Sequence, residues 1–370
     1  MAIRDSLALT EDQRALQDSV RGFLADKLSS GELHSALDSQ PGYRPDVHAR
    51  LTAELGLAGL TIPTEFGGLG LSQAEACVVH TELGRVLYPG PLLPSGLAAA
   101  ALLAAGDPDA RQHWLPLLAN GSVTATVAAA NEAGYWSPGP DSVRAEHAID
   151  GWRLSGRRWY VIAAHVADII VVPAVTESAP VMFLVGSGSA GFSVSRQLSL
   201  DLTRRISIVT LDATPALPLS QDLAAVASLA RAEQELLLAN AAEAAGGIAW
   251  CLDASIAYAQ DREQAGHPAG SFQAVASSCV DMIADLRDVS AAARYAAVAT
   301  ADDVADAPQA ARAAALQAAE SYRAATEAAI QLIGGIGFTR EQDAYLHYRR
   351  AWSTQQLIGG PLADRAADPR

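Results

Sequence analysis

The sequence predicts a mainly helical α+β protein, in which a β segment separates two helical segments. Apolar residues recur at helical spacing through residues 1–120. Short segments rich in β-branched residues then fill residues 121–220, and long Ala/Leu-rich helical patterns occupy residues 221–370. We therefore predict an N-terminal helical domain, a middle β domain and a C-terminal helical domain with these boundaries.

The N-terminal segment contains several amphipathic patterns. Thr10 precedes two acidic residues, which is typical of a helix N-cap and first turn. The apolar residues that follow recur at helical spacing: Leu16, Val20, Phe23 and Leu24. Further helices are predicted over residues 43–55, 73–87, 97–105 and 109–119.

The middle segment has a sequence pattern that is typical of β-strands. Its apolar stretches are short and end at Gly, Pro, Ser or Asp, as in SVTATVAAA, GWRLSGRRWYVIAA, DIIVVPAV, PVMFLVG and RISIVTL. Asp150-Gly151 is typical of a two-residue hairpin turn, because glycine accepts positive φ at little cost. The C-terminal segment has helical stretches at residues 223–262, 271–302 and 308–334, which are long enough for an antiparallel bundle.

Composition excludes several classes of function. The chain carries 41 acidic and 26 basic side chains, and its charge of −15 repels nucleic acid and anionic membrane surfaces. No uninterrupted apolar run reaches the roughly 20 residues of a membrane span. Cys77, Cys251 and Cys279 form no pair at redox or metal-ligand spacing, and the histidines show no ligand spacing either. We expect a cytoplasmic protein without a metal site.

Four stretches resemble the acyl-CoA dehydrogenase family over nearly the whole chain. The first begins LTEDQRALQDSVRGFLADKL and continues through LGLAGLTIPTEFGGLGLS and ELGRVLYPGPLL. The second is GWRLSGRRWYVIAAHVADIIVV, the third is REQAGHP at residues 262–268, and the fourth is QLIGGIGFT at residues 331–339. The resemblance implies an N-terminal helical domain, a middle β-barrel or sandwich and a C-terminal four-helix bundle. It also implies a flavoprotein that oxidises acyl-CoA thioesters with FAD.

The resemblance assigns the last two stretches to the FAD phosphates of a neighbouring subunit. A pyrophosphate is held well by a guanidinium and by backbone N–H groups, which approach closely where side chains are absent. Arg262 and the Gly334-Gly335 turn supply such groups. The residues to which the resemblance gives FAD contacts are Arg262, Gln264, Gly266, Gln331, Gly334 and Gly335.

The stretches that meet the flavin ring in the family are altered here. The family's Thr-Glu-Pro…Gly-Ser-Asp signature is replaced by ANEAGYW at residues 130–136. The hydroxyl residue expected in the next strand is Ile162, after Tyr160 and Val161. Ala265 replaces the aromatic residue expected after Gln264. These changes weaken the case for a flavin ring in the β domain of this chain.

The family reaction requires a carboxylate within hydrogen-bond reach of the substrate α-proton. The C-terminal stretch that corresponds to one family position, HYRRAW at residues 347–352, has none. A second family position aligns with Leu236, next to Glu235. Glu243 in AAEAAGG is a third candidate, because burial in an apolar stretch raises a carboxyl pKa towards that of a base. The alternative is an ordinary helix glutamate, paired at the surface or with the turn of Arg262.

Three functions follow from the resemblance. In the first, the chain is one subunit of a heterotetrameric acyl-CoA dehydrogenase that desaturates the α,β-bond of an acyl-CoA and closes the FAD site of its partner. A bulky acyl group, such as a sterol side chain, suits this interpretation, and an electron-transfer flavoprotein or similar acceptor is expected. In the second, the chain is a self-sufficient homo-oligomer with Glu243 or Glu235 as base. In the third, it is a non-catalytic structural or regulatory subunit without flavin.

Overall fold

The computed structural model describes residues 7–136, 143–177, 179–264, 266–340 and 342–367. The helices before the β segment are α1 (Glu11–Lys27), α2 (Ser30–Asp38), α3 (Pro45–Leu55), α4 (Gln73–Arg85), α5 (Leu92–Ala105) and α6 (Pro108–Ala119). Thr10 caps α1 in a reciprocal capping box with Gln13, which confirms the predicted N-cap. Helix α2 was not predicted, although Ser29 and Glu32 form a second capping box at its start.

The β segment closes into a barrel. Its strands are β1 (Ala125–Val127), β2 (Val143–Ala148), β3 (Gly151–Ile162), β4 (Ile169–Val175), β5 (Pro180–Gly186), β6 (Phe192–Arg196) and β7 (Ile206–Gln221). The order β4-β2-β3-β7-β5 returns to β4, while β1 pairs with β4 and β6 pairs with β7. Strands β2 and β3 pair from Ala148 and Gly151 outward, so the predicted hairpin is present, but its two turn residues are Ile149 and Asp150 and not Asp150 and Gly151. Closure leaves these five strands without a free edge.

The C-terminal helices are α7 (Asp222–Asp261), α8 (Gln273–Ala301), α9 (Ala307–Ile333) and α10 (Ala344–Ala367). Small residues let them pack closely, and much of their core is buried alanine. At Gly246 of α7, a Cβ would lie only 1.9 Å from the Thr81 carbonyl oxygen of α4. The predicted mainly helical α+β class is confirmed. Within the described ranges, no helix is long and apolar enough to cross a membrane.

One hydrophobic cluster joins the three parts of the chain. Leu97 and Leu102 of α5 pack in it with Val127 of β1, Val171 of β4 and Leu236 of α7. The barrel is thereby fixed between α5 and α7 through continuous apolar contact. The junction positions the walls of a cavity of about 890 Å³.

Candidate functional site

The two predicted phosphate-binding motifs meet at one corner of the helical bundle. Arg262 follows the last residue of α7, and Gly334 follows the last residue of α9. A Cβ built on Gly334 would lie 3.5 Å from Nη1 of Arg262. Packing of α7 against α9 therefore places an exposed guanidinium beside a glycine backbone, although the two residues are far apart in sequence. We call this pair the Arg262–Gly334 corner.

Tyr258 fixes the position of the Arg262 side chain. Nη1 of Arg262 donates a 2.9 Å hydrogen bond to the Tyr258 hydroxyl, one helical turn earlier. The guanidinium carbon also lies 5.4 Å from the centre of the Tyr258 ring, within cation–π range. The tyrosine orients the cation and leaves it exposed.

The backbone of the corner is open to a ligand. Gly334 has φ of +84° and Gly266 has φ of +77°, a region that glycine adopts without strain. A Cβ at Gly335 or Gly266 would meet nothing within 4 Å. Gln331 is exposed in the last turn of α9. The side chain of Gln264 and the whole of Ala265 lie outside the described residues.

These residues fit the phosphates of a dinucleotide. An oriented guanidinium can donate two parallel hydrogen bonds to phosphate oxygens. The N–H of Gly335 can approach the same anion, whereas the N–H of Gly334 already donates to the Ile330 carbonyl at 2.8 Å. Three large apolar side chains near these turns are also exposed: Phe272 by 39%, Ile336 by 37% and Phe338 by 64%. Apolar side chains around an anion-binding corner are typical of a surface that a partner covers.

A second feature is a cavity of about 890 Å³ between the barrel, α7 and α10. Its walls come from α5, β1, β3, the loop of residues 130–136, the segment before β7, and two helices of the bundle. The lining residues are Leu97, Thr126, Val127, Ala130, Ala133, Gly134, Tyr135, Trp136, Tyr160, Ile162, Ser199, Leu200, Ile206, Leu236, Trp352, Ser353, Gln356 and Leu357. Not one of these lining side chains is charged.

The altered ring-side residues form one wall of this cavity. Tyr160 occupies the left-handed region with φ of +55°, at an irregularity in the pairing of β3 with β7. Its N–H donates to Gln197 Oε1 at 3.2 Å, and its hydroxyl donates to the Glu132 carbonyl at 3.1 Å. Ile162 presents an aliphatic side chain, and its carbonyl accepts a 2.7 Å hydrogen bond from Thr126 Oγ1. This wall uses several of its polar groups internally, and it does not fit the nitrogen- and oxygen-rich edge of a flavin ring.

Glu243 lies in a buried ion-pair network. Its Oε2 accepts from Arg204 Nη2 at 2.5 Å and from Arg350 Nη1 at 2.8 Å. Arg350 also pairs through Nε with Asp201 at 3.0 Å. Burial alone raises the pKa of Glu243, but the guanidinium of Arg204, the imidazole of His80 at 3.6 Å and the charge of Arg350 outweigh it, so the pKa lies well below its usual range.

Two expectations for Glu243 are therefore wrong. Its pKa is lowered and not raised, because the sequence around it is apolar but the folded chain brings two arginines to it. Its partners are also neither at the surface nor in the turn of Arg262, since Glu243 is only 8% exposed and its carboxylate is bound by Arg204 and Arg350. The carboxylate does not line the large cavity.

The second family position for a base is occupied by Leu236, which adds an aliphatic side chain to the wall of the 890 Å³ cavity. Leu236 lines the large cavity, whereas its neighbour Glu235 lines a separate pocket of about 50 Å³. Glu235 is held there by Arg231 at 2.6 Å and by Gln73 at 3.0 Å. Burial raises the pKa of Glu235, although Arg231 and Gln73 act in the opposite direction. Leu97 borders both spaces.

Sequence reasoning missed one complete wall of the cavity. Trp352, Ser353, Gln356 and Leu357 all come from α10, the fourth helix of the bundle, whose bounds were not predicted. Their spacing of three and four residues is the signal of one helix face, and it could have indicated this wall. The pairing of Glu243 with Arg204 and Arg350 was also missed, because local sequence contains no signal for such distant partners.

Comparison with known proteins gives consistent matches. Residues 10–122 match the family model "Acyl-CoA dehydrogenase, N-terminal domain", and residues 237–361 match "Acyl-CoA dehydrogenase, C-terminal domain". The acyl-CoA dehydrogenase IpdE2 of Mycolicibacterium smegmatis is 32% identical over 359 residues, which cover 95% of this chain and 96% of that protein. IpdE2 of Mycobacterium tuberculosis is 33% identical over 351 residues, with 95% and 94% of the two chains covered.

Solved structures agree with these matches. A chain of the ChsE4-ChsE5 complex from Mycobacterium tuberculosis superposes with a TM-score of 0.87 at 25% identity, over 98% of this chain and 99% of that one. A variant of the steroid ACAD Tcur3481-Tcur3483 superposes with a TM-score of 0.83 at 28% identity, over 97% and 99% of the two chains.

Proposed function

The chain belongs to the acyl-CoA dehydrogenase family of oxidoreductases, and from this premise we propose that it is one subunit of a heteromeric, flavin-dependent acyl-CoA dehydrogenase. In this assembly the chain gives Arg262 and the Gly334-Gly335 backbone to the phosphates of an FAD whose ring lies in a partner subunit. The observation that carries the proposal is the Arg262–Gly334 corner, where the guanidinium lies beside an uncovered glycine turn. When bound, FAD accepts the hydride that leaves the β-carbon of the thioester.

The residues of this chain act on the phosphates by electrostatics and by shape. Arg262 is held by Tyr258 before any ligand arrives, so little side-chain entropy is lost on binding. In the glycine turn, the N–H of Gly335 can approach the anion at short range because glycine has no Cβ, whereas the N–H of Gly334 is bound to the Ile330 carbonyl. The exposed side chains of Phe272, Ile336 and Phe338 supply apolar area that a partner would bury.

The partner must also supply the base. In the cavity of this chain, the described lining residues include no carboxylate, and the aligned position is Leu236. Glu243 is held by Arg204 and Arg350, and its lowered pKa makes it a weak proton acceptor. We propose that Glu243 anchors α10 to α7 and does not act as the base.

The relatives support a heteromer and a bulky substrate. One similar structure is a complex of two named chains, ChsE4 and ChsE5, and another is named a steroid ACAD. We therefore propose a second acyl-CoA dehydrogenase subunit as the partner and a sterol-derived or similarly bulky acyl-CoA as the substrate. We also propose an electron-transfer flavoprotein or an equivalent acceptor as the partner that would take the electrons.

Co-expression tests this proposal. The chain is purified alone and together with a dehydrogenase encoded beside it, and FAD per chain is counted from absorbance. We expect about one FAD per two chains, and only on co-expression, since one complete site forms per pair. One FAD per chain in the chain purified alone supports the self-sufficient homo-oligomer instead. A colourless assembly supports the non-catalytic subunit.

A further inference from the structure

We propose that the 890 Å³ cavity of this chain binds an uncharged, mainly apolar ligand directly, in place of a flavin ring. The inference goes beyond the proposed function, because the cavity and the Arg262–Gly334 corner share no lining residue. It stands on the charge, the size and the rigidity of the cavity walls.

The first argument is the charge of the walls. None of the described residues that line the cavity is Asp, Glu, Lys, Arg or His. A carboxylate or phosphate that entered would lose its water without gaining a charged partner, which is strongly unfavourable. A neutral ligand escapes this cost. Charged parts of a larger molecule, such as the phosphates of CoA, must therefore stay outside the described walls.

The second argument is the size and the surface of the space. Aliphatic side chains face it from several elements, among them Leu97 of α5, Val127 of β1 and Leu236 of α7. Aromatic side chains complete the walls: Tyr135, Trp136, Tyr160 and Trp352. A volume of about 890 Å³ is near the upper end of small-molecule pockets, roughly 300–1,000 Å³. Such a space suits a bulky ligand with fused rings or a branched chain.

The third argument concerns hydrogen bonds. Ser353 and Gln356 lie three residues apart on α10 and present a hydroxyl and an amide to one side of the cavity. They suit one or two oxygen atoms on an otherwise apolar ligand. On the opposite wall, the hydroxyl of Tyr160 and that of Thr126 donate to carbonyls of the protein itself. A flavin ring needs several hydrogen-bond donors along one edge, but these two hydroxyls already donate to the protein.

The fourth argument is that the cavity is already formed. Arg350 of α10 is bound to Glu243 of α7 at 2.8 Å and to Asp201 at 3.0 Å, just before the α10 residues that line the cavity. This network fixes α10 and therefore the wall that carries Trp352 and Ser353. A preformed apolar cavity loses little free energy through ordering when a ligand binds.

The experiment uses the full chain and the neutral fluorophore Nile red. We expect saturable binding of about one dye per chain, with the emission increase of an apolar site. Leu236→Asp places a carboxylate in the wall. Leu236→Asn is its control, because asparagine has nearly the same shape as aspartate but no charge. We expect the aspartate to weaken binding at least about tenfold more than the asparagine does, because it must be desolvated against the dye. Ile149→Asp, at an exposed hairpin turn, should bind like the unmodified chain.

A second pair protects the test against misfolding. Ser353→Asp and Ser353→Asn repeat the comparison on α10, and thermal melting confirms that each variant is folded. Competition then identifies the source of the ligand: displacement by a polycyclic acyl-CoA supports the acyl part of a thioester, and displacement by the matching methyl ester alone supports a free apolar molecule. Three results overturn the proposal: no dye binding, equal binding by the Asp and Asn variants of both pairs, or stronger competition by lumiflavin than by either polycyclic compound. The FAD content of a co-expressed assembly does not enter this test.

Discussion

Nη1 of Arg262 lies 3.5 Å from the point that a Cβ on Gly334 would occupy. The contact joins the end of α7 to the end of α9 and makes one corner from two motifs that are separate in sequence. Because the guanidinium is exposed and oriented by Tyr258, the corner is prepared for an anion from outside the chain.

Removal of the guanidinium should release FAD from the assembly. In Arg262→Ala, we expect FAD affinity to fall about 10- to 100-fold, because hydrogen bonds to a charged group contribute roughly 1.5–3 kcal/mol. Arg262→Lys should retain the charge but lose the two parallel hydrogen bonds. Its FAD affinity should therefore lie between those of the unmodified protein and of Arg262→Ala. FAD release on dilution of the co-purified assembly measures the effect. Arg50→Ala, which removes an exposed arginine paired with Glu54, is the matched control. Equal FAD retention by the Arg262 and Arg50 variants would count against the corner.

A side chain at Gly334 should disturb the same site through the backbone. Gly334 has φ of +84°, where a residue with a Cβ is strained by roughly 1–2 kcal/mol. We expect Gly334→Ala to lower the melting temperature slightly and FAD occupancy strongly. Gly22→Ala in α1 meets nothing within 4 Å and should leave FAD occupancy unchanged. Differential scanning fluorimetry and flavin absorbance are the two measurements. Normal occupancy in Gly334→Ala would show that this turn does not approach the phosphates.

Because we propose that Glu243 anchors α10 to α7, we expect its replacement to lower the free energy of unfolding. Glu243→Ala leaves Arg204 and Arg350 buried without their shared partner, and breaking such a pair costs roughly 3–5 kcal/mol. Glu243→Gln keeps the shape and should be milder. Denaturant unfolding measures both. The contrary outcome is a Glu243→Gln assembly of normal stability and normal FAD content without dehydrogenation, which would restore Glu243 as the base.

The lowered pKa of Glu243 also predicts an acid-dependent loss of stability. The folded chain binds the proton less readily than the unfolded chain, whose carboxyl titrates near 4.5. The contribution of Glu243 is therefore complete above that pH and is lost as the pH falls below it towards the folded pKa. We expect the free energy of unfolding to decline below about pH 4.5, and to decline less steeply in Glu243→Gln. Parallel slopes for the two proteins would contradict the assignment.

The sequence was most informative where the physical signal is local. Helices α7, α8 and α9 begin and end within about two residues of their predicted bounds, because long Ala/Leu patterns have a clear period. The hairpin between β2 and β3 was predicted from Asp150 and Gly151, because the turn preference of an Asp-Gly pair is also a local signal. The bounds of helix α10 were not predicted, since Gly359, Gly360 and Pro361 interrupt its pattern. The two boundaries between the three domains and the roles of the site residues stay predictions.

The candidate site depended on contacts that local sequence does not encode. The environment of Glu243 looked apolar within AAEAAGG, but Arg204 and Arg350 reach it only after the barrel and α10 have packed on α7. The uncharged character of the large cavity is also a property of several elements together. In contrast, Arg262 and Gly334 could be named in advance, because each belongs to a motif with a recognisable order along the chain.

The most direct test of the account is the FAD content of the two-subunit assembly, with and without Arg262. The account predicts about one FAD per two chains in the co-purified assembly, and a strong loss of that FAD in Arg262→Ala while the subunits remain associated. One FAD bound per chain in this protein purified alone, unchanged by Arg262→Ala, would contradict it.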